Sequence, residues 1–367
     1  MSPFARLTAA ATLAAALASS AAAQDSTWQP VLEATTQSYA PSLPIADALD
    51  GFETDRYRPG GRAAFTYNRI RAGARKGPWD FGLLARYDYR AEYSRDVGEV
   101  GNLLLNDADA TDGSKRIDLE VDHFRGLGGE LGYTLSTSPR DGLTLDTRIG
   151  VEAFASDSIL DGRLIGNLDV ADNDVDVAAL AVTYRYTEDI LFGRITGETG
   201  TGYGGSLNLR TDLRGPGWQV RIAAHDFVGR VRWSGVDTTV ADADTQTLTR
   251  DSDGLINVRP TLRGRNFQDD YTQRLPTRWE FGGRADVTPD WSAVGEAHSI
   301  GRTWLATLGA DYSPSDTLAF GPRAEITSGA LGGKLRWHAF HLRLVTDSLS
   351  PSRARYLDAK LGLHADF

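Results

Sequence analysis

The stretch RYLDAKLGLHADF, Arg355 to Phe367, decides the fold. Leu357, Ala359, Leu361, Leu363, Ala365 and Phe367 fall on one side, and Asp358, Lys360, Gly362, His364 and Asp366 on the other. A period of two is a β-strand with two chemically different faces. In a soluble protein such an apolar edge at a frayed end invites aggregation. In a barrel that crosses a bilayer it is a closing strand, apolar toward lipid and polar toward the lumen.

The opposite end agrees with export. Arg6 supplies a short positive region, Leu7 to Ala18 is small and apolar, and Ala21-Ala22-Ala23 precedes Gln24. This pattern is that of a secretory signal peptide over residues 1–23, with the mature chain expected from Gln24. No later stretch has the run of apolar residues a spanning helix needs, so membrane insertion is expected through strands. The chain has no cysteine, which excludes a disulfide framework, thiolate metal sites and a cysteine nucleophile. Its net charge of −10 and the lack of a basic patch disfavour nucleic-acid binding. The mean hydropathy is negative, which excludes a helical membrane protein but not a barrel.

Working back through the chain, the same alternation recurs. From Trp79 to Tyr93 the odd positions are Trp, Phe, Leu, Ala, Tyr, Tyr, Ala and Tyr, while Asp80, Arg86, Asp88, Arg90 and Glu92 fall between them. Trp279, Phe281, Ala285 and Val287 oppose Arg278, Glu280, Arg284 and Asp286, and Trp218, Val220, Ile222 and Ala224 oppose Gln219, Arg221 and His225. Two strands are less regular. Residues 62–75 are expected to carry a bulge near Asn68, and the strand from Ile117 places His123 and Arg125 at apolar parity, which suggests a second bulge. Trp28 to Ser38 is a weakly patterned first strand. Residues 96–115, 156–174 and 234–276 read as polar loops, the last being the longest.

Short turns are expected at Lys76-Gly77-Pro78, Ser138–Gly142, Thr187-Glu188-Asp189, Gly215-Pro216-Gly217, Thr288-Pro289-Asp290, Ser313–Asp316 and His338-Ala339. One rim of tight turns with long loops opposite, plus a first and a last strand, implies an all-β, up-and-down transmembrane barrel of about 16 strands over residues 24–367. This architecture resembles the porins of Gram-negative outer membranes. Residues 156–174 lack the Pro-Glu-Phe-Gly type of segment seen in the constriction loop of many general porins. A terminal Phe367 after alternating apolar residues is similar to the signal such proteins present to the barrel assembly machinery. The resemblance implies outer-membrane lipid and lipopolysaccharide as surroundings, and it is compatible with a homo-oligomer.

The polar faces gather Arg86, Arg90, Arg148, Arg210, Arg221, Arg278, Arg284, Arg336 and Arg343 against Asp88, Glu92, Asp146 and Glu280, among other carboxylates. Facing rows of opposite charge in a lumen create a transverse field that sorts hydrated solutes. The same residues can instead pair across strands and fill the barrel. The first alternative makes the chain a channel for passive diffusion of small hydrophilic solutes, with no cofactor. A polysaccharide-export barrel and a non-conducting surface or adhesion barrel are the rivals. An enzyme is not indicated, because His298 and Ser299 are adjacent and so point to opposite faces of a strand, and the remaining histidines have no metal spacing. Asp107, Asp109 and Asp112-Gly113 resemble a calcium loop only faintly, one residue off in spacing and without the bidentate Glu.

Overall fold

The computed structural model describes residues 28–49, 56–106, 108–189, 200–245, 248–250, 256–258 and 262–363. The elements in chain order are β1 (Gln29–Tyr39), α1 (Ile45–Leu49), β2 (Ala63–Lys76), β3 (Trp79–Tyr93), α2 (Arg95–Asn106), β4 (Gly113–Arg140), β5 (Leu143–Ala171), β6 (Asp174–Tyr186), β7 (Gly202–Gly215), β8 (Trp218–Asp244), β9 (Leu248–Arg250), β10 (Ile256–Val258), β11 (Leu262–Leu275), β12 (Arg278–Asp286), β13 (Trp291–Ile300), β14 (Thr303–Ser315), β15 (Leu318–Glu325), β16 (Leu331–Trp337), β17 (Phe340–Thr346) and β18 (Tyr356–Leu363). The expected leader and Phe367 lie outside the described residues.

Antiparallel pairing runs from β1 through β5, on to β7, β8 and β12, then in order to β18. The ring closes where β18 pairs β1, with Leu363 opposite Leu32 and Tyr356 opposite Tyr39. β18 also pairs β17, as the sequence pattern anticipates. The barrel is therefore all-β, antiparallel and closed, but it has 14 strands rather than about 16. The discrepancy has one source. β5 does not end near Ala155; it runs on to Ala171 and reverses through Asp172-Asn173, both at positive φ (52° and 61°), as a two-residue hairpin requires. β6 then returns along β5 and stacks over β7 in one column, with β5 pairing β7 through its first half and β6 through its second. The segment after Tyr186 is thus no turn of the tight-turn rim. Six hairpins remain there, at β2–β3, β4–β5, β7–β8, β12–β13, β14–β15 and β16–β17. The reversal expected at His338-Ala339 is present, with His338 at φ 52°.

The two faces of the wall are chemically distinct. On β3, Leu83 is 74% exposed on the outside, whereas Leu84 is 3% exposed inside. Outward Leu127, Leu131, Ile149, Val151, Leu207, Leu209, Val220, Ile222, Leu308, Leu342 and Leu344 extend that apolar surface around the ring. Aromatic residues border it at both ends. Trp79, Tyr133, Trp218, Trp291, Phe320 and Trp337 lie beside the tight turns, and Tyr203, Phe227, Trp279 and Trp304 lie toward the long loops. From Trp79 to Tyr87 is eight residues, about 26 Å of strand, which at a tilt of about 40° spans roughly 20 Å.

Neither expected bulge is where the sequence placed it. β2 pairs both neighbours without a break from Ala63 to Lys76, so Phe65 and Tyr67 share the inward face with Arg69 and Arg71. The interior near the loop end is aromatic, which removes the need for a phase change. β4 likewise pairs β3 without a break, and the extra residue is Asp157 of β5. His123 and Arg125 do share the outward parity. They sit above the apolar band, where His123 packs on Tyr87 (centroids 4.8 Å) and Arg125 pairs Asp157.

Residues expected as loops are largely ordered. Most of residues 96–115 form α2 and the start of β4, residues 156–171 are strand, and residues 234–276 supply the upper half of β8 together with β9, β10 and β11. β4, β5, β6, β8 and β11 thereby continue past the ring as a sheet of their own. Val100 and Leu103 of α2 pack on Ile117, Leu168 and Val170 of that sheet. A second cluster closes its base, with Phe124, Phe154, Ile159, Val231, Trp233, Val236 and Leu275 buried together. Asp109 and Asp112 hold the β5–β6 tip, accepting from Asn173 Nδ2 (2.8 Å) and the Asp172 N–H (3.0 Å).

Candidate functional site

Inward residues from strands far apart in sequence meet in a continuous ionic spine. Near the tight turns, Arg71 Nε donates to Glu130 Oε2 at 2.7 Å and also pairs Asp80. Arg148 reaches Glu130 at 2.5 Å and Asp80 at 3.2 Å. Arg69 bridges Glu130 and Glu152, each at 2.8 Å. Arg86 then takes Glu152 (2.9 Å), Asp88 (2.5 Å) and Asp226 (2.7 Å). Asp226 also receives Arg278 at 3.5 Å, and that guanidinium stacks over Tyr67 at 4.4 Å.

This last contact spans the lumen. Tyr67 is on β2 and Arg278 on β12, six strands away by the shorter route round the ring. The core formed by Phe65, Tyr67, Ile300, Leu305, Val345 and Tyr356 joins the same opposed walls, and Glu92 of β3 accepts the Arg302 N–H from the β13–β14 hairpin at 3.4 Å. β11 adds a strap. Gln273 Nε2 donates to the His123 carbonyl at 3.1 Å, and Tyr271 donates to Asp161 at 2.8 Å. A small cavity beneath it, about 10 Å³, is lined by Tyr67, Asp88, Asp226 and Gln273 among others. The loop end of the barrel is therefore filled by side chains.

Asp226 is where the backbone makes this possible. Between Leu207 and Leu209 of β7, β8 carries extra residues, and Asp226 sits there at φ 54° with its N–H held by Asn208 Oδ1 at 3.0 Å. A left-handed aspartate in a bulge aims its carboxylate inward and costs of order 1 kcal/mol or more.

On the other wall, Arg343 pairs Glu296 and, at 2.8 Å, Asp358. Arg323 pairs Asp311 at 2.5 Å, and His225 lies 3.2 Å from Glu280. At the rim, Arg90 gathers Glu92 and Glu120, both at 2.9 Å, and Asp122. Near the tight turns, Arg210 and Arg221 each contact Asp212 through Nε at 2.6 Å, Arg214 pairs Asp146 at 2.9 Å, and Arg284 Nε donates to Ser292 at 3.0 Å.

The sequence-derived charges thus take inward positions, but in separate groups. Arg86, Asp88, Arg148 and Arg278 join the spine, Arg90 and Glu92 the rim, Asp146, Arg210, Arg221 and Arg284 the turn end, and Glu280 and Arg343 the far wall. Arg336 stands opposite His341 and Ala319. Arg69, Arg71, Glu130 and Asp226 were missed. The alternation of Arg69, Arg71 and Arg75 with Ile70, Ala72 and Ala74 already put these arginines on the inward face, since the expected bulge sent Ile70, Ala72 and Ala74 toward lipid; what the bulge misplaced was Phe65 and Tyr67, and Asp226 has no sequence signal. His298 and Ser299 face opposite sides of β13, so no Ser–His pair forms there. Among the described residues no cluster of three or more His, Asp or Glu side chains is arranged to hold a metal.

In the extension beyond the apolar band, burial and the neighbouring Asp122 charge push the Asp161 carboxyl up to about 6, against the opposing effects of Tyr271 and Arg185. Asp157, exposed and hydrogen-bonded by Arg125, is shifted below the usual carboxylate range.

No family model matches this chain, and no curated protein matches it in sequence. Among solved structures it is similar to the toluene transporter TodX of P. putida, at 10% identity over 94% of this chain and 91% of that one, with a TM-score of 0.38. A Pseudomonas aeruginosa FadL homologue matches at 12% identity over 91% and 87%, TM-score 0.32. The toluene transporter TbuX of Ralstonia pickettii matches at 11% identity over 93% and 89%, TM-score 0.30. The barrel assignment rests on this chain's own strand pairing.

Proposed function

We propose that this chain is an outer-membrane channel for small hydrophilic solutes, held closed at its loop end. The carrying observation is a closed ring with an apolar, aromatic-bordered exterior and an interior of charged side chains. Hydrocarbon outside requires that every strand edge be paired, which the ring satisfies. A 14-strand ring is wider than the eight-strand size that side chains alone fill, so the wall itself leaves room for water. Here that room is taken up at the loop end by the Tyr67–Arg278 stack, the Arg86–Asp226 pair and the β11 strap. Toward the tight turns Arg71 and Arg148 are drawn into the spine, at 4% and 20% exposed, but Arg75, Arg210, Arg214 and Arg221 are 30–45% exposed, so that side of the lumen is open to water.

The cross-lumen contacts favour a second reading, a barrel that never conducts. Planar-bilayer recording separates the two. Stepwise currents from the wild type support a channel and count against the closure, whereas currents from Arg86→Ala and Asp226→Asn when the wild type is silent support a channel held closed at its loop end. Silence from all three supports the non-conducting barrel.

A further inference from the structure

Toward the turn end of the lumen most ion pairs present the cation and hide the carboxylate, Arg71 and Arg323 being the exceptions at 4% and 1% exposed. Arg210 is 43% exposed and Arg221 38%, while the Asp212 they share is 5% exposed. Arg214 is 45% exposed over Asp146 at 17%, and Arg75 30% over Asp80 at 3%. Across the lumen, Lys334 is 32% exposed beside Asp311 at 3%. The Arg284–Asp286 pair is even, at 38% and 43%. At the rim the order reverses, with Arg90 at 14% and its partner Glu120 at 50%. Formal charges nearly balance, but the surface that a solute meets does not.

The arginines are also arranged for one ligand. Asp212 stands directly opposite Arg221 across the β7–β8 pair, and Arg221 stands opposite Gly282, two residues from Arg284 on the next strand. Arg210, Arg221 and Arg284 thus lie on a diagonal over three successive strands, about 10 Å across them and about 13 Å along them, since Arg210 stands opposite Ala223 and Arg284 opposite Gln219; the row suits an extended polyanion reached by three long side chains. Gly282 leaves the Arg221 Cβ as the nearest side-chain atom, at 3.5 Å from where a Cβ would lie, so the floor between them is open. Arg210 and Arg221 both meet Asp212 through Nε, so one carboxylate anchors two guanidiniums that remain 43% and 38% exposed. Planar forks held in this way suit an oxyanion, and more so a polyanion.

We infer that the turn end of the lumen is a binding vestibule for anionic solutes bearing phosphate or several carboxylates, centred on Arg210, Arg221 and Arg284. This rests on the channel reading and names its substrate class. Such a site raises the local anion concentration and selects anions over cations in any current that flows.

Two measurements test it, both on the full refolded barrel. The first is equilibrium binding of tripolyphosphate in detergent, which does not depend on conduction. The wild type is expected to bind, Arg210→Gln/Arg221→Gln/Arg284→Gln to bind roughly tenfold more weakly or less, and the matching Lys triple variant to lie between them. Since the Gln variant leaves Asp212 unpaired and can fail to fold, Asp212→Asn supplies the opposite change: it removes the shared carboxylate and is expected to tighten binding. The second is the reversal potential in a KCl gradient, expected on the chloride-selective side and moved toward zero in the triple variant. Absence of tripolyphosphate binding, unchanged affinity in both variants, or cation selectivity overturns the vestibule. A silent barrel that binds tripolyphosphate through these arginines upholds the vestibule and removes only the channel.

Discussion

Replacing Arg86 by Ala should unlock the loop end. Its side chain is almost completely buried and contacts Glu152, Asp88 and Asp226, of which the first and last are equally buried. It also lies 5.0 Å from the Phe124 ring and 5.8 Å from the Phe154 ring. Removing one partner of a buried ion pair costs about 3–5 kcal/mol, mostly from the charges left behind. Here Arg69 remains 2.8 Å from Glu152 and Arg278 remains 3.5 Å from Asp226, so the loss is partly compensated. The lost cation–π contacts add back about 0.5–1 kcal/mol each. We therefore expect about 3–5 kcal/mol for Arg86→Ala. Asp226→Asn keeps an acceptor and leaves Arg86 two carboxylates, so its cost is about 1.5–3 kcal/mol. The double variant should cost less than the sum, because each change removes the other's partner. The assay is urea unfolding of the refolded barrel, read by heat-modified gel mobility, with single-channel conductance alongside. Arg86→Ala should unfold at lower urea and conduct more than the wild type. An unfolding midpoint within error of the wild type, with unchanged conductance, would refute the spine as the loop-end closure.

Other perturbations separate the two faces and the two ends. Leu83→Ala should be nearly neutral and Leu84→Ala should cost about 2–4 kcal/mol, because only Leu84 leaves a cavity. Leu83→Arg should instead cost about 2–4 kcal/mol through lipid exposure, and a Leu83→Ala cost equal to that of Leu84→Ala, or a neutral Leu83→Arg, would contradict the assigned phase. Leu84→Arg, which alternation alone would allow, should also destabilise, since the lumen around Leu84 is already packed. Asp161 has a folded-state pKa raised to about 6, so its stabilising protonated form is complete below its unfolded pKa and is lost as pH rises through 6. Hydrogen exchange in β11, whose Tyr271 bonds Asp161, should accelerate between pH 5 and 7 beyond the intrinsic pH effect, and Asp161→Asn should abolish that excess. Deleting Phe367 should lower the folded protein recovered in outer-membrane fractions by quantitative blotting, whereas Asp366→Asn should leave it nearly unchanged.

Much of the wall was legible locally. The alternation from Trp79 to Tyr93, from Arg278 to Asp286 and from Tyr356 to Leu363 gave each strand's phase, because successive side chains point to opposite faces whatever the partner. Gly77, Gly142 and Gly217, all at positive φ, marked tight turns for an equally local reason. The inward charges followed from the same parity. Their grouping did not, because a spine linking Arg86 to a residue 140 positions away depends on where the ring closes.

By itself, then, the sequence determined an all-β wall with one apolar and one charged face, since a period-two pattern is a property of the backbone. The tertiary structure decided the strand number: β6 runs back along β5 in the same column as β7, so the turn read at Thr187-Glu188-Asp189 adds no hairpin to the tight-turn rim and the ring has two strands fewer. It also turned the longest apparent loop into β8, β11 and a strap. Pairing between strands depends on which distant segment arrives beside them, and no local pattern encodes that. For the same reason, Tyr67 and Arg278 read separately as a wall aromatic and a lumen charge, and only closure of the barrel makes them one contact across it.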